Sequence, residues 1–197
     1  HNVGLYAGHH NLVSLVVDGE PDQEQYDGRQ DVLAVSLSGA LVPLAALRTW
    51  KGADSWFGTF AESMDLCRRI CLGGGRVVVV PQARIAHRRA RFDGVRSKSG
   101  QPVEDEDGRV DPYLAKREAN TKYAYTDVHR SWWPLLWIWS IIKALGLAVL
   151  CLTRKQPYHA CCELALPWRS LLYLPGAWRA RARLREQSKV SLKSLSA

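Results

Sequence analysis

Residues 58–87, GTFAESMDLCRRICLGGGRVVVVPQARIAH, predict a helix followed by a strand. Thr59 and Glu62 have the T-x-x-E spacing of a capping box, in which two side chains bond free backbone amides at a helix start. The apolar residues of the predicted helix share one face, at Phe60, Met64, Cys67 and Cys71. Three glycines at 73–75 predict the helix end, because glycine accepts the left-handed conformation found there.

A run of β-branched residues follows at 76–80, RVVVV, and predicts a strand buried on both faces that ends at Pro81. An earlier apolar segment, residues 32–37, predicts a second buried strand. Between them, Pro43 predicts the start of a short helix over residues 44–50. Strands and helices in this order favour an α/β layer.

The length and composition limit the domain organisation. The 197 residues are enough for one domain with an appendage. The chain starts at His1 and its single methionine is Met64, so we expect it to be an internal piece of a longer protein. Its five cysteines fit no zinc-ribbon spacing, and we expect reduced thiols that serve as small apolar side chains.

The C-terminal part begins with an apolar segment. Residues 132–153 contain four tryptophans and one charge, Lys143. A spanning helix needs roughly 20 apolar residues, so the length is just sufficient. A central lysine costs about 2.5–3.5 kcal/mol on insertion scales. Three interpretations of this apolar segment therefore remain: a helix on a membrane surface, a single membrane span, or a buried hairpin of a soluble protein.

A basic tail follows the apolar segment. Residues 154–197 hold nine Lys or Arg and two Glu, so most of the net charge of +8 lies there. Arginines mixed with Trp and Leu suit a helix in the lipid headgroup region. Nucleic-acid phosphate would attract the same charge, but no segment resembles a nucleic-acid-binding module. The residues predicted to face a membrane are Trp132, Trp133, Trp137, Trp139, Arg179, Arg181 and Arg183.

The segment ESMDLCRRICLGGGRVVVVPQARIAH resembles the second half of the catalytic domain of glycosyltransferase family 2. The family pattern has acids at a helix start, a Cys-x-Arg, a glycine at the helix end, an RVVVVP strand and then a histidine. The preceding segment, DVLAVSLSGALVPLAALRTWKGAD, is similar to the part that comes before this pattern. The resemblance covers roughly residues 3–90 and is to large actinobacterial members of the family.

The resemblance implies an α/β architecture of the GT-A type. Residues 1–95 would form the acceptor-side half of a nucleotide-diphospho-sugar transferase domain. A polar loop at 96–112 and membrane-proximal basic helices at 113–197 would follow. The implied reaction is inverting transfer of a sugar from a nucleotide-diphospho-sugar to a cell-envelope polysaccharide or lipid-linked acceptor. The implied location is the cytoplasmic face of the plasma membrane.

The resemblance also implies a divalent cation, Mg²⁺ or Mn²⁺, that neutralises the leaving diphosphate. Upstream carboxylates of an Asp-x-Asp motif would hold it together with His87. The sequence contains no such motif after an N-terminal strand, so we expect this piece alone to bind no cation strongly.

Matched residue by residue, the motif implies catalytic roles for the acids Glu62 and Asp65 and a metal-binding role for His87. Ser63 stands where the family places its usual catalytic aspartate, and a serine hydroxyl is no base at neutral pH. Either one of the two acids replaces that base, the register is shifted, or the activity is weak or absent. The alternatives without catalysis are helix capping by Glu62, an ion pair between Asp65 and Arg69, and a polar strand exit at His87.

Trp50, Asp54 and Trp56 surround a turn and are candidates for the acceptor site, because aromatic faces stack on sugars. Packing in the core or at its rim is the alternative for the tryptophans. Two classes of function are therefore predicted. The first is a membrane-associated glycosyltransferase, and the second is a non-catalytic protein that binds a membrane surface through the Trp-rich segment and the basic tail.

Overall fold

The computed structural model describes residues 4–7, 12–14, 28, 31–83 and 111–190, and this part of the chain is mainly helical. Two short 3-10 turns, Ser55–Phe57 and Arg130–Trp132, precede longer helices. Within the described residues, the strands and helices are β1 Leu5–Ala7, β2 Leu12–Ser14, α1 Leu44–Thr49, α2 Glu62–Leu72, α3 Tyr113–Asp127, α4 Trp133–Thr153 and α5 Pro157–Gln187.

The two strands form an antiparallel pair in which Leu5 lies opposite Ser14. Isolated bridges add two more extended segments, one between Leu5 and Ala34 and one between Asp31 and Val78. The predicted strands at 32–37 and 76–80 are wrong, since each takes part only through such bridges. β-branched residues favour a strand only where a neighbouring strand pairs with them.

The RVVVV segment is also less buried than predicted. Val78 is 45% exposed and Val80 is 54% exposed, whereas Val77 and Val79 are half-buried. The side chains alternate in exposure, as in an extended chain with one covered face. Burial on both faces was therefore a wrong prediction for the described residues.

The helix predicted from the opening stretch is present as α2, but its start differs. Ala61 occupies the N-cap position and no side chain caps the helix, so the predicted capping box is wrong. The amides of Ala61 and Glu62 both donate to the carbonyl of Gly58, so the preceding turn already uses them. At the other end Gly74 has φ +87°, which confirms the predicted role of glycine there.

The C-terminal helices form a layered unit in which α5 packs on both α4 and α3. The α4–α5 pair is antiparallel, because Trp137 contacts Pro167 and Cys151 packs on Ala160. The described chain confirms the helices predicted at the positions of α1 and α4, and α3 also lies where a helix was expected. All five cysteines are free thiols.

A small core joins these helices to the start of α2. It contains Phe57 of the first 3-10 turn, Ala61 before α2, Ala119 of α3 and Ala180 of α5. Half-buried aromatic and apolar side chains surround it, namely Trp56, Phe60, Met64 and Tyr123. The acidic motif therefore lies at the junction between the N-terminal part and the helical part.

Candidate functional site

The acidic motif occupies the first turn of α2. Glu62 and Ser63 are half-buried, whereas Asp65 is only 2% exposed. The dipole of a helix favours negative charge near its N-terminus. The motif therefore combines an accessible acid, an accessible hydroxyl and a buried carboxylate.

Two arginines hold the buried carboxylate. Arg69 Nε lies 2.8 Å from Asp65 Oδ2, and Arg68 Nη2 lies 3.2 Å from Asp65 Oδ1. The ion pair with Arg69 confirms the i, i+4 alternative predicted for Asp65. Since each oxygen accepts from an arginine, the carboxylate has one fixed orientation.

Arg69 also joins α2 to the turn after α1. Its guanidinium donates to the carbonyl oxygens of Trp50 and Gly52, the latter at 2.6 Å. Gly52 has φ +64°, a conformation that glycine adopts at low cost. The pair of Asp65 and Arg69 therefore supports the turn between residues 50 and 54.

Arg68 reaches across to α3. Its Nη2 donates to Thr126 Oγ1 at 2.7 Å, and its guanidinium lies 4.0 Å from the centre of the Tyr123 ring. Arg68 is 3% exposed, and within the described residues its Nε and Nη1 have no hydrogen-bond partner. Sequence reasoning missed this contact, because its partner is 58 residues away and no local spacing signals it.

The residues predicted to bind the acceptor make contacts inside the molecule. Asp54 accepts from the Trp56 amide at 3.1 Å and pairs with Arg183 of α5 at 2.8 Å. Trp56 packs against Gly176 of α5, and its carbonyl accepts from Lys122 Nζ at 2.8 Å.

Trp50 packs against the glycines that end α2, Gly73 and Gly75. Both tryptophans therefore pack against other described residues. Their role in binding an acceptor stays a prediction.

The predicted metal ligand His87 lies outside the described residues. In the part of the chain that the structure covers, no group of three or more His, Cys, Asp or Glu side chains could hold a metal ion. Asp65 already has both oxygens bound by arginines. The described acidic residues at the start of α2 therefore do not make a cation site by themselves.

The four tryptophans predicted to face a membrane divide into two pairs. Trp132 and Trp139 are 60% and 62% exposed. Trp133 and Trp137 instead donate their indole N–H groups to the carbonyls of Tyr125 and Pro167, at 2.9 and 3.0 Å. The structure thus leaves one pair outside and uses the other to attach α4 to α3 and α5.

The three predicted membrane arginines divide in a similar way. Arg179 is exposed. Arg181 donates to the carbonyls of Thr126, at 2.8 Å, and Val128, and so binds the end of α3. Arg183 forms the ion pair with Asp54. Two of the three guanidinium groups therefore hold α5 in place.

An open groove lies at the start of α4 and has a volume of about 490 Å³. Its lining is mainly apolar and consists of Val128, His129, Trp132, Leu135, Leu136 and Trp139. The helical segment Arg130–Thr153 contains an 18-residue stretch with a mean hydropathy of 2.2, and it is long and apolar enough to cross a membrane by length and composition.

Comparison with known families identifies the chain. The family described as Glycosyl transferase family group 2 matches residues 2–178. The chain belongs to this family. The match extends well beyond the motif and includes α3, α4 and most of α5. No curated protein and no solved structure matches the chain.

Membership of glycosyltransferase family 2 implies a GT-A-like fold and sugar transfer from a nucleotide-sugar donor. The described residues are mainly helical, so the α/β architecture of the N-terminal part stays a prediction. The domain boundaries at 95 and 112 fall in or beside residues outside the described part and stay predictions as well.

Proposed function

We propose that this protein transfers a sugar, with inversion, from a nucleotide-diphospho-sugar to a cell-envelope polysaccharide or lipid-linked acceptor. The observation that carries the proposal is family membership over residues 2–178, in a chain whose α2 begins with Glu62, Ser63 and Asp65. Such a reaction needs a base that removes the acceptor hydroxyl proton on the face opposite the leaving diphosphate.

We assign the base to Glu62, because Asp65 is held by two arginines and Ser63 has no basic group. Asp65 acts as a positioning residue. Its pairs with Arg68 and Arg69 fix α2 against α3 and against the turn that carries Asp54 and Trp56. An aromatic side chain on that turn can stack on the acceptor sugar.

Members of the family generally use a divalent cation to neutralise the leaving diphosphate. We keep His87 as the proposed ligand, to be joined by carboxylates from elsewhere in the protein. Hydroxyl activation by Glu62 does not depend on this assignment.

We further propose that the protein works at the cytoplasmic face of the plasma membrane. The support is the apolar segment Arg130–Thr153, together with the exposed Trp132, Trp139 and Arg179. A lipid-linked acceptor would then reach α2 from the same membrane surface.

Sugar transfer by the product of the whole reading frame tests the proposal. A panel of nucleotide-diphospho-sugars is incubated with membrane lipids and cell-envelope polysaccharide, and the anomeric configuration of the product is read by NMR. We expect transfer with inversion. Glu62→Gln should lower the rate by about 100-fold or more, because a general base usually contributes at least this factor.

The control is Glu186→Gln, which makes the same change at an exposed residue near the end of α5 and should leave the rate unchanged. If no donor supports transfer while the protein binds lipid vesicles, the proposal is wrong and a non-catalytic membrane-surface protein explains the chain better. If Glu62→Gln is as active as the parent, the base is another residue.

A further inference from the structure

The outer side of α4 is an apolar surface that no described residue covers. The inner side of α4 is buried at Ala144, Ala148 and Cys151. The opposite side is between 49% and 62% exposed at Leu135, Ile138, Trp139, Ile142, Leu145 and Val149. A helix that is apolar all round is normally covered on all sides, so a partner for this surface is expected.

The charge of the α4–α5 hairpin indicates the kind of partner. Between residues 130 and 179 the only acid is Glu163, which is 1% exposed and paired with Arg117 at 2.6 Å. Exposed basic side chains occur along the same stretch, at Arg130, Lys143, Arg154, Lys155 and Arg179. An apolar surface whose neighbouring exposed charges are all positive fits an anionic lipid leaflet.

The neighbouring helix decides how the hairpin can lie in that leaflet. The Trp133 indole at the start of α4 donates to the Tyr125 carbonyl near the end of α3. At the other end of α4, Cys151 lies beside Tyr113 at the start of α3. α3 therefore runs antiparallel to α4, and it is attached to the α4–α5 hairpin mainly by its packing on α5.

A spanning α4 would take α3 into the bilayer with it. α3 carries Lys116, Arg117, Glu118 and Lys122, and Lys143 would lie at the centre of α4. A charged residue at the bilayer centre costs about 2.5–3.5 kcal/mol on insertion scales. A spanning α4 would bring several charged side chains into the bilayer and would therefore carry this cost more than once. A hairpin that lies flat avoids this cost, because α3 then stays in water.

We infer that the α4–α5 hairpin lies in the plane of one anionic leaflet and does not cross the bilayer. The outer side of α4, which includes Trp139, enters the acyl boundary, and Trp132 just before α4 lies at headgroup depth. α3 and the acidic start of α2 remain on the water side. This inference rests on the membrane association proposed above and specifies its geometry.

Vesicle flotation followed by an alkaline carbonate wash tests the inference on the 197-residue chain. We expect the protein to float with vesicles of phosphatidylcholine and phosphatidylglycerol (7:3) at low salt. We expect carbonate to release it, since interfacial proteins are extracted and spanning proteins are not. Ile142→Glu and Val149→Glu, at 56% and 62% exposed positions, should each weaken binding by tenfold or more.

The matched control is Ala115→Glu, which adds the same charge at an exposed position on α3 and should change binding less than twofold. Far-UV circular dichroism checks that each variant is folded. Retention by the membrane after carbonate would show a spanning helix and overturn the inference.

Two other results would also overturn it. One is a protein that stays unbound at low salt, and the other is a dimer that Ile142→Glu dissociates, since a second copy would then cover α4. Sugar transfer is measured separately, so the two proposals can fail independently. Transfer by a protein that never floats would reject the membrane geometry alone, and flotation without transfer would reject the enzymatic role alone.

Discussion

The indole of Trp56 lies directly against Gly176, so that a Cβ at this glycine would be 2.0 Å from the indole Nε1. The contact joins the turn before α2 to the middle of α5. The ion pair between Asp54 and Arg183 strengthens the same junction, and the amide of Lys189 caps the end of α2 by donating to the Leu72 carbonyl at 2.8 Å. α5 and α2 are therefore built as one unit.

Replacing Gly176 by alanine should push the turn that carries Trp56 away from α5. The added methyl group has no room, because the three nearest atoms all belong to the Trp56 indole, at 2.0–2.7 Å. We expect a loss of about 1–3 kcal/mol in the free energy of unfolding, the usual cost of overpacking. Urea denaturation measures it, and Trp56 fluorescence should shift as the indole is displaced.

Gly146 of α4 provides the matched control, because a Cβ there would meet nothing within 4 Å. Gly146→Ala should stabilise the protein by about 0.5–1 kcal/mol, since glycine weakens a helix interior. If Gly176→Ala proved as stable as Gly146→Ala, the close contact with Trp56 would be wrong.

The partly buried ion pair between α3 and α5 should contribute to stability. Arg117 binds both oxygens of Glu163, at 2.6 and 2.8 Å, and the Tyr113 hydroxyl also contacts this carboxylate. Glu163→Gln leaves Arg117, whose side chain is 25% exposed, without its counter-charge. We expect a loss of about 1–3 kcal/mol in the free energy of unfolding, the usual cost of removing a partner from a charged hydrogen bond. Thermal unfolding followed by circular dichroism should therefore show a lower midpoint.

The control for Glu163→Gln is Asp31→Asn, which breaks the pair between Asp31 and Arg76 on the surface. Both of those side chains are more than half exposed, so water and salt screen the interaction. The midpoint should hardly change. Equal effects of the two substitutions would show that Glu163 is not buried against α3.

Cysteine reactivity should follow burial. Burial raises the pKa of the Cys67 and Cys71 thiols, so at neutral pH both carry the unreactive protonated form. Cys161 is exposed. In the native protein without lipid, a disulfide reagent such as DTNB should therefore modify Cys161 first, and Cys161→Ser should remove the fast phase.

DTNB reactivity measured at rising pH shows whether the pKa values of the Cys67 and Cys71 thiols are raised or lowered. Cys67 and Cys71 should begin to react only above the ordinary thiol pKa of 9.0, because the folded protein disfavours their thiolates. The denatured protein is the control and should show five equivalent thiols. Fast modification of Cys67 in the native protein at pH 7 would contradict its burial.

The features that the sequence predicted correctly depend on near neighbours along the chain. The helices at the positions of α1, α2 and α4 follow from apolar spacing and from Pro43, and the end of α2 follows from its glycines. The ion pair between Asp65 and Arg69 follows from an i, i+4 spacing, which any helix brings together.

The features that it missed depend on partners far away in the chain. Residues 76–80 have the composition of a strand, but a strand forms only if others pair with it, and the sequence does not show which. Arg68 binds Thr126, and Arg181 binds the end of α3, through contacts that no local pattern encodes. Likewise, only the packing of α4 on α3 and α5 separates the inward Trp133 and Trp137 from their exposed neighbours.

The most direct test of the central claim, that the start of α2 is the transferase site, is the effect of Ser63→Asp on nucleotide-sugar turnover. The substitution introduces the aspartate that the sequence resemblance predicts at this position, which is half-buried in the first turn of a helix. It is made in the product of the whole reading frame and compared with Ser63→Ala and His87→Ala at saturating acceptor. We predict that Ser63→Asp raises turnover, that Ser63→Ala leaves it near the parent value and that His87→Ala lowers it. If all three variants turn over donor at the rate of a measurably active parent, the site is elsewhere and the account is wrong.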